Sequence, residues 1–447
     1  MDRYIVAIDI GSETVKTAIA NKDDDGILHI LGYAVAPTEG FEYGNVKNMD
    51  KLKNSIMTSV DEAQQKWGEF IDTSVMPIYY SISGNKITDR NIESDSWPIK
   101  NVDSNTGRGS VSSEDIEWHK RHLETSIIPR GQKMISMILQ CFAVDENVSI
   151  ENPIGLSGQS MKAAGHIIID SESHINDLEN AIKKSFFEDF ESVTDADIKL
   201  IPVASGYASC LAVLTEEQKE TGVGLLDIGD SCSDLSVFAN KYPIKTYTNY
   251  IAGTTVTKDI MSLLGICESE VEKIKKECAC ANPSKTGSKE YVEIISHDGE
   301  KKELKLETLA SLVNAPIKEL FENIRNTLDC NIDNTTYRKI ISNNGIILTG
   351  GTANLREIAS VAMEVLEVPT KIGKPKAKKI NEFPEINEDT SFSTLIGLCI
   401  YGTNDFTIAG TIKKKKKSTK FKQNGSKNIA GNFFINLWET LKKIQIS

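Results

Sequence analysis

One arrangement occurs twice in this 447-residue chain. Near the start, the apolar runs Ile5–Ile10 and Val15–Ala20 flank Gly11-Ser12-Glu13. In the second half VGLLDIGDSCSDLSVF, Val223 to Phe238, repeats the order of apolar strand, D-I-G turn and apolar strand. Short apolar runs around a glycine turn read as a β-hairpin, and a hairpin that recurs in each half predicts a duplicated lobe. A chain of this length also exceeds what one hydrophobic core organises, so two lobes are expected on size alone.

Such a turn has a chemistry of its own, because its backbone N–H groups form an anion-binding concavity. In the first turn Ser12 adds a donor, Lys16 a positive charge, and Asp9 a carboxylate able to hold the waters of a magnesium ion. In the second, Asp227, Gly229 and Asp234 stand in the corresponding region. The alternative for the first turn is a plain edge hairpin, and for Asp227 and Asp234 the capping of turn amides. A third turn, GIILTGGTANL from Gly345 to Leu355, carries a buried strand into Gly350-Gly351 and then into a helix, leaving backbone open at a helix N-terminus. Together the three turns describe a two-lobed cleft. In such a cleft the hairpins would clamp the phosphates of a nucleotide from both sides and the third turn would lie against its adenosine.

Between the turns, strands and helices alternate as in α/β layers. Ile27–Ala36 reads as a strand, Asp50–Trp67 as a helix with Leu52, Ile56, Val60 and Ala63 on one face, and Met76–Ser83 as a strand closing at Gly84. Residues 85–164 are looser in pattern and richer in polar side chains, as an inserted subdomain would be. Gly165–Asp170 is strand-like, Ile175–Phe187 an amphipathic helix and Asp197–Val203 a strand. Shorter elements fill 251–307, with a turn signal at His297-Asp298-Gly299. Leu309–Leu328 is a long helix disturbed at Pro316, and Ser391–Tyr401 a final buried helix.

Charge and cysteine usage exclude several functions. The net charge is −12, yet from Thr411 onward there are ten Lys and a single acidic residue, Glu439. An acidic body argues against nucleic-acid binding, and a basic tail argues for an anionic partner of its own. The 8 cysteines are scattered without zinc spacing, which fits a reduced compartment. Asp9 interrupts the apolar N-terminus, so no export signal is expected, and no run approaches the roughly 20 apolar residues that cross a bilayer.

The constellation resembles the actin, Hsp70 and sugar-kinase superfamily, and within it the chain is similar to FtsA, the family of actin-like bacterial cell-division proteins, over nearly its whole length. The residues that carry the resemblance are Asp9-Ile-Gly-Ser12, Asn152-Pro-Ile-Gly-Leu-Ser-Gly158, Gly253-Thr-Thr-Val-Thr-Lys-Asp259, Ile274-Lys275, Ile347-Leu-Thr-Gly-Gly351, Ser393-Thr394 with Gly397, and the C-terminal helix. The resemblance implies an α/β, actin-like (ribonuclease H-like, duplicated) two-lobed fold with an inserted FtsA-type subdomain and a C-terminal amphipathic helix. The first lobe would span 1–84, 165–203 and, with a linker and closing helix, 373–410, and the insert 85–164. The second lobe would span 204–250, 251–307 (its upper part) and 308–372, followed by a basic linker, 411–431, and the helix, 432–447. It implies ATP and Mg held by Asp9, Gly11, Ser12, Lys16, Asp227, Gly229, Asp234, Gly350 and Gly351, the Mg through water on Asp9 and Asp227, with at most weak ATPase activity. Partners implied are the C-terminal peptide of the tubulin homologue FtsZ, further copies of the chain in filaments, later division proteins and an anionic membrane surface, at the cytoplasmic face of the division site.

The chain departs from the family pattern at three places that bear on function. In the first hairpin Thr14 stands where the family often has Lys, and Lys16, two positions on and so on the same strand face, is placed to compensate. Where the family reads D-I-G-G-G-T-x-D, this chain has Asp230, Ser231 and Cys232 after Gly229. At about 5 Å from one phosphate charge and an effective dielectric near 20, a carboxylate there is repelled by roughly 3 kcal/mol. Cys232 reads as a small filler rather than a nucleophile. Pro316 stands where the family commonly places an Arg suited to an acidic FtsZ peptide; Lys305 or Lys318 substitutes for it, or both belong to a solvated helix face. In the tail, Phe434, Leu437, Trp438, Leu441 and Ile444 fall at helical spacing with Lys442 and Lys443 at the flank, the pattern of an interfacial helix. Lys413–Lys417 supplies a second membrane signal, the alternative being a helix that docks on the protein's own body. Rival readings of the whole chain are a nucleotide-poor membrane scaffold, a phosphotransferase of the same superfamily, and a chaperone, for which only a short tail follows the second lobe.

Overall fold

A computed structural model describes residues 4–411, apart from 85, 101–102, 104, 127, 146, 195, 288–289, 297–298, 333–334 and 377–382. The chain opens with β1 (Ile5–Ile10), β2 (Thr14–Lys22), β3 (Leu28–Pro37), α1 (Met49–Trp67) and β4 (Ile78–Ile82). Asn48 caps α1 by accepting from the Lys51 N–H, and Gly68 ends it in the left-handed region at φ 85°. Its Leu52, Ile56, Val60 and Ala63 are buried, as their spacing predicts. Then come β5 (Thr88–Glu93), α2 (Ser113–Ser126), β6 (Gln132–Val144), β7 (Asn147–Ile150), β8 (Ser160–Ser171), α3 (Glu172–Phe186), β9 (Leu200–Ala204) and α4 (Ser205–Val213).

The second half continues with β10 (Val223–Ile228), β11 (Ser233–Ala239), β12 (Tyr242–Asn249), α5 (Gly253–Leu264), α6 (Glu268–Glu277), β13 (Tyr291–Ile295), β14 (Lys301–Lys305) and α7 (Leu306–Leu328). It closes with β15 (Ile346–Thr349), α8 (Ile358–Leu366), β16 (Thr370–Ile372) and α9 (Ser393–Thr411). The duplication is explicit in the sheets. One is ordered β9-β4-β1-β2-β3 and the other β16-β15-β10-β11-β12. Each is an antiparallel three-strand meander extended by two parallel strands on the side of its first strand. Apolar residues on both faces of β1 and β10 are fully buried, because helices cover both sides of each sheet.

Three sequence expectations need correction. The insert is not loose: β6 and β8, of 13 and 12 residues, pair along their length within a sheet ordered β7-β6-β8-β5. Register shifts between Met134 and Ser136 and between Leu139 and Cys141 break the period-2 alternation that would have revealed β6. A division at 164/165 falls inside β8, so Gly165–Asp170 pairs with β6 and β5 rather than with the first lobe's sheet. Finally, α7 runs through Pro316 without interruption. The missing N–H costs one backbone hydrogen bond, but Val313, Ile317, Leu320 and Phe321 are fully buried around it in the second-lobe core and hold the helix together. Of the expected turn at 297–299, His297 and Asp298 lie outside the described residues, although β13 and β14 pair as a hairpin.

The insert rests against β12, the edge strand of the second sheet, through a polar seam. Lys245 pairs with Asp89 at 2.6 Å, Asn91 and Gln140 donate to the carbonyls of Ile244 and Pro243, and fully buried His166 bonds Asn91 and Thr246. Burial lowers His166 to a pKa of about 4 against the pull of Asp89, so the seam is held by neutral imidazole.

Candidate functional site

The two D-I-G turns fold alike. The Gly11 N–H donates to the carbonyl of Thr14 at 3.1 Å, and the Gly229 N–H to that of Cys232 at 2.9 Å. A tight turn closed in this way leaves the following N–H groups facing outward. Asp9 is cross-strand from Lys16 and Asp227 from Asp234, so one register position carries a cation in the first hairpin and an acid in the second. Lys16 Nζ lies 3.6 Å from Asp9 Oδ2.

These aspartates are held by hydroxyls from other strands and helices. Asp9 Oδ1 accepts from Ser81 at 2.9 Å, while Asp227 accepts from Ser209 on α4 and from Thr394 on α9. Asp234 accepts from Thr248 at 2.6 Å and, across the cleft, from Ser83 at 2.7 Å. Burial pushes Asp227 up to about 6 and Asp234 up to about 7, the negative charges of neighbouring aspartates adding to both shifts against the hydroxyl donors. This cluster is short of positive charge. Asp9 and Asp227 therefore fit an ion held through its waters, and no group of three or more His, Cys, Asp or Glu among the described residues forms a direct metal cage.

At the third turn the expected direct passage from strand to α-helix is corrected. A 3₁₀ turn, Gly351–Asn354, comes first and α8 begins only at Ile358, because Gly350 leaves the strand at φ 89° and ψ 166°. A Cβ on Gly350 would run into the Asp227 carboxylate and the Ile228 carbonyl, so only glycine brings this turn against the second hairpin. Thr352 Oγ1 donates to the Gly229 carbonyl at 2.7 Å and completes the junction. Behind it α4 and α9 cross backbone to backbone at Gly397, where a Cβ would penetrate the Ala208 carbonyl. That crossing carries Ser209 and Thr394 to Asp227.

Together the turns line one cavity of about 610 Å³ between the lobes, reaching Asp9, Gly11, Ser12 and Lys16 on one side and Asp227, Gly229, Asp234, Gly350 and Gly351 on the other. Its wall also holds residues that sequence reading did not single out: Glu272 and Lys276 on α6, Arg356, Ser83 and Phe392. Lys276 pairs with Glu13 of the first turn at 2.9 Å, a bridge across the cleft. Apart from Thr394 of the Ser393-Thr394 motif, the hydroxyls that hold the aspartates belong to no motif, since a lone serine or threonine carries none. A signal exists in Ser81 and Ser83, which stand at the carboxyl end of a strand parallel to β1, where open α/β sheets place their sites.

Asp230 lines the cavity as well, but its charge is partly engaged. Its carboxylate accepts from Thr254 Oγ1 at 2.6 Å and Ser231 Oγ at 3.0 Å, and its carbonyl accepts the Thr254 N–H at the N-terminus of α5. The positive end of that helix offsets part of the repulsion a phosphate would meet. Burial raises the Cys232 thiol to about 12, so it is no nucleophile at neutral pH. Lys305 and Lys318 are not brought together. Lys305 is exposed just before α7, whereas Lys318 lies roughly 20 Å of helix rise further on and pairs with Glu364 at 3.5 Å. Phe434, Leu437, Trp438, Leu441, Lys442, Lys443 and Ile444 lie outside the described residues. No helix among the described residues is long and apolar enough to cross a membrane.

Comparison with known proteins agrees with this geometry. The family model described as cell division protein FtsA matches residues 224–397, and that of the SHS2 domain inserted in FtsA matches 98–169. FtsA of Pseudomonas aeruginosa is 29% identical over 401 residues, covering 90% of this chain and 89% of the relative. FtsA of Escherichia coli K12 is 28% identical over 423 residues, covering 93% and 94%. Among solved structures, MreB 5 of Spiroplasma citri bound to AMPPNP superposes with a TM-score of 0.54 at 12% identity over 92% of this chain and 99% of that one. A PilM–PilN type IV pilus biogenesis complex gives 0.54 at 16% over 89% and 98%. The structural neighbours establish the actin-like fold; the two family models and the full-length relatives place the chain in the FtsA family of cell-division proteins.

Proposed function

We propose that this chain binds ATP with magnesium in the cleft and self-assembles into filaments. It tethers FtsZ to the inner face of the cytoplasmic membrane through residues 432–447 and recruits later division proteins. The observation that carries the nucleotide reading is the convergence of two phosphate-type hairpins and the Gly350-Gly351 turn on one cavity. The MreB neighbour, solved with AMPPNP and in another structure with ADP, supports it. Asp9 and Asp227 would hold magnesium through water, and the ion would neutralise phosphate charge. Lys16 and the turn amides would bind the phosphates, and the face of Gly350-Gly351 would receive the adenosine. Turnover is expected to be slow or undetectable. The best-placed base, Asp234, has both oxygens occupied by hydroxyl donors, so it is not free to take a proton from water.

For FtsZ, the exposed Lys305 and the half-exposed Lys318 offer cationic contacts to an acidic peptide. Replacing each singly without changing peptide affinity removes it from the partner site. For the membrane, deleting 432–447 is expected to release the protein from anionic vesicles, and unchanged binding counts against the anchor. A second reading, a nucleotide-poor scaffold, is favoured by Asp230 in the cavity wall. It prevails if the purified chain binds no ATP with magnesium and Asp230→Gly restores binding.

A further inference from the structure

The end of the first lobe away from the cleft carries the most exposed apolar side chains among the described residues. Phe70 is 91% exposed and Val75 72%, on the loop between α1 and β4. Several elements converge there. Tyr4, which leads into β1, packs on Trp67 at 5.3 Å. The turn from Asp23 to Ile27 lies at the same end, because Ala20 near the close of β2 pairs with Ile5 at the start of β1. α9 reaches it too: Gly402 packs against Ile5 and Tyr79, Asn404 accepts from Lys22 Nζ at 2.6 Å, and the helix continues to Thr411. Residues 412–447 therefore begin at this end of the molecule.

Its charge is the opposite of theirs. Glu69 and Asp72 on the loop and Asp23, Asp24 and Asp25 in the neighbouring turn are exposed at this end of the lobe. Of the nearby lysines, Lys22 bonds Asn404, Lys66 lies over the Tyr33 ring at 4.5 Å, and Lys199 is the third. An acidic rim repels an anionic lipid surface and attracts a segment with ten lysines, while Phe70 and Val75 offer apolar contact to Phe434, Leu437 and Trp438. The twenty residues 412–431 reach up to about 66 Å when extended, ample for the return.

We propose that the Phe70–Val75 loop and its acidic rim dock residues 412–447 of the same chain, in competition with anionic lipid. The inference rests on the reading of that segment as a membrane anchor. Docking lowers apparent lipid affinity by the fraction of chains in which the tail is free. The test uses the full chain and vesicles of equal phosphatidylglycerol and phosphatidylcholine. The double variant Phe70→Ser, Val75→Ser, altering only exposed positions, is expected to bind roughly five- to tenfold more tightly. Unchanged binding overturns the proposal, and weaker binding does so by showing that the loop itself enters lipid. A photo-crosslinker at position 70 gives an independent readout. Adducts to 412–447 within one chain, lost when vesicles are added, are expected; adducts only to a second copy, or none to the tail, refute docking. If neither chain binds vesicles, the anchor reading falls while the crosslink still decides whether the tail docks.

Discussion

Asp230→Asn removes one charge from the cavity wall and keeps the side chain's shape. The bare repulsion between that carboxylate and one phosphate charge at about 5 Å is roughly 3 kcal/mol at an effective dielectric near 20. The N-terminus of α5, which the Asp230 carbonyl engages through the Thr254 N–H, carries about half a positive charge and favours the phosphate in parent and variant alike. That helix end cancels in the difference between the two proteins, so the whole of the roughly 3 kcal/mol is recovered and the variant is expected to bind ATP with magnesium about a hundredfold more tightly than the parent. Isothermal titration of both proteins at neutral pH measures the difference directly. A change within twofold would show that Asp230 does not face the phosphates. Weaker binding would refute the reasoning more deeply, because it would make Asp230 a holder of the ion rather than a source of repulsion.

Gly350→Ala places a Cβ in a backbone region reserved for glycine and against the Asp227 carboxylate; a loss of about 2–4 kcal/mol and of ATP-induced thermal stabilisation is expected, and a parent-like melt with ATP present contradicts it. Gly397→Ala forces α9 off α4 at the Ala208 carbonyl, with an expected cost of about 2 kcal/mol or more in denaturant unfolding. For Asp227 and Asp234 the folded pKa values, about 6 and about 7, lie above the unfolded value near 3.9. The folded state then holds protons that the unfolded state has released, so these two groups contribute stability at low pH that is lost as pH rises toward about 7. Asp234→Asn should therefore gain stability relative to the parent on going from pH 5 to pH 8, measured without nucleotide; a difference curve flat with pH rules this out.

The parts of the site that lie within one hairpin were legible in the sequence, because β1–β2 and β10–β11 pair across turns a few residues long and their aspartates share a register. Gly350-Gly351 was legible for a related reason: glycine pairs mark close backbone approach. The hydroxyls on the aspartates were not, since Ser83, Ser209 and Thr248 reach them from strands and helices whose order only the folded sheets reveal. The insert was obscured by bulges in β6, and the continuity of α7 by a proline whose local penalty is outweighed by burial of the turns beside it. In each case a short-range rule gave way to a long-range contact.

The most direct test of the nucleotide clamp is the equilibrium binding of ATP to the purified full chain with magnesium in excess, followed by titration calorimetry. Micromolar affinity that falls sharply when magnesium is withdrawn, or when Lys16 is replaced by Ala, is the result predicted. No binding at millimolar ATP, in the parent and in Asp230→Asn alike, would contradict the account.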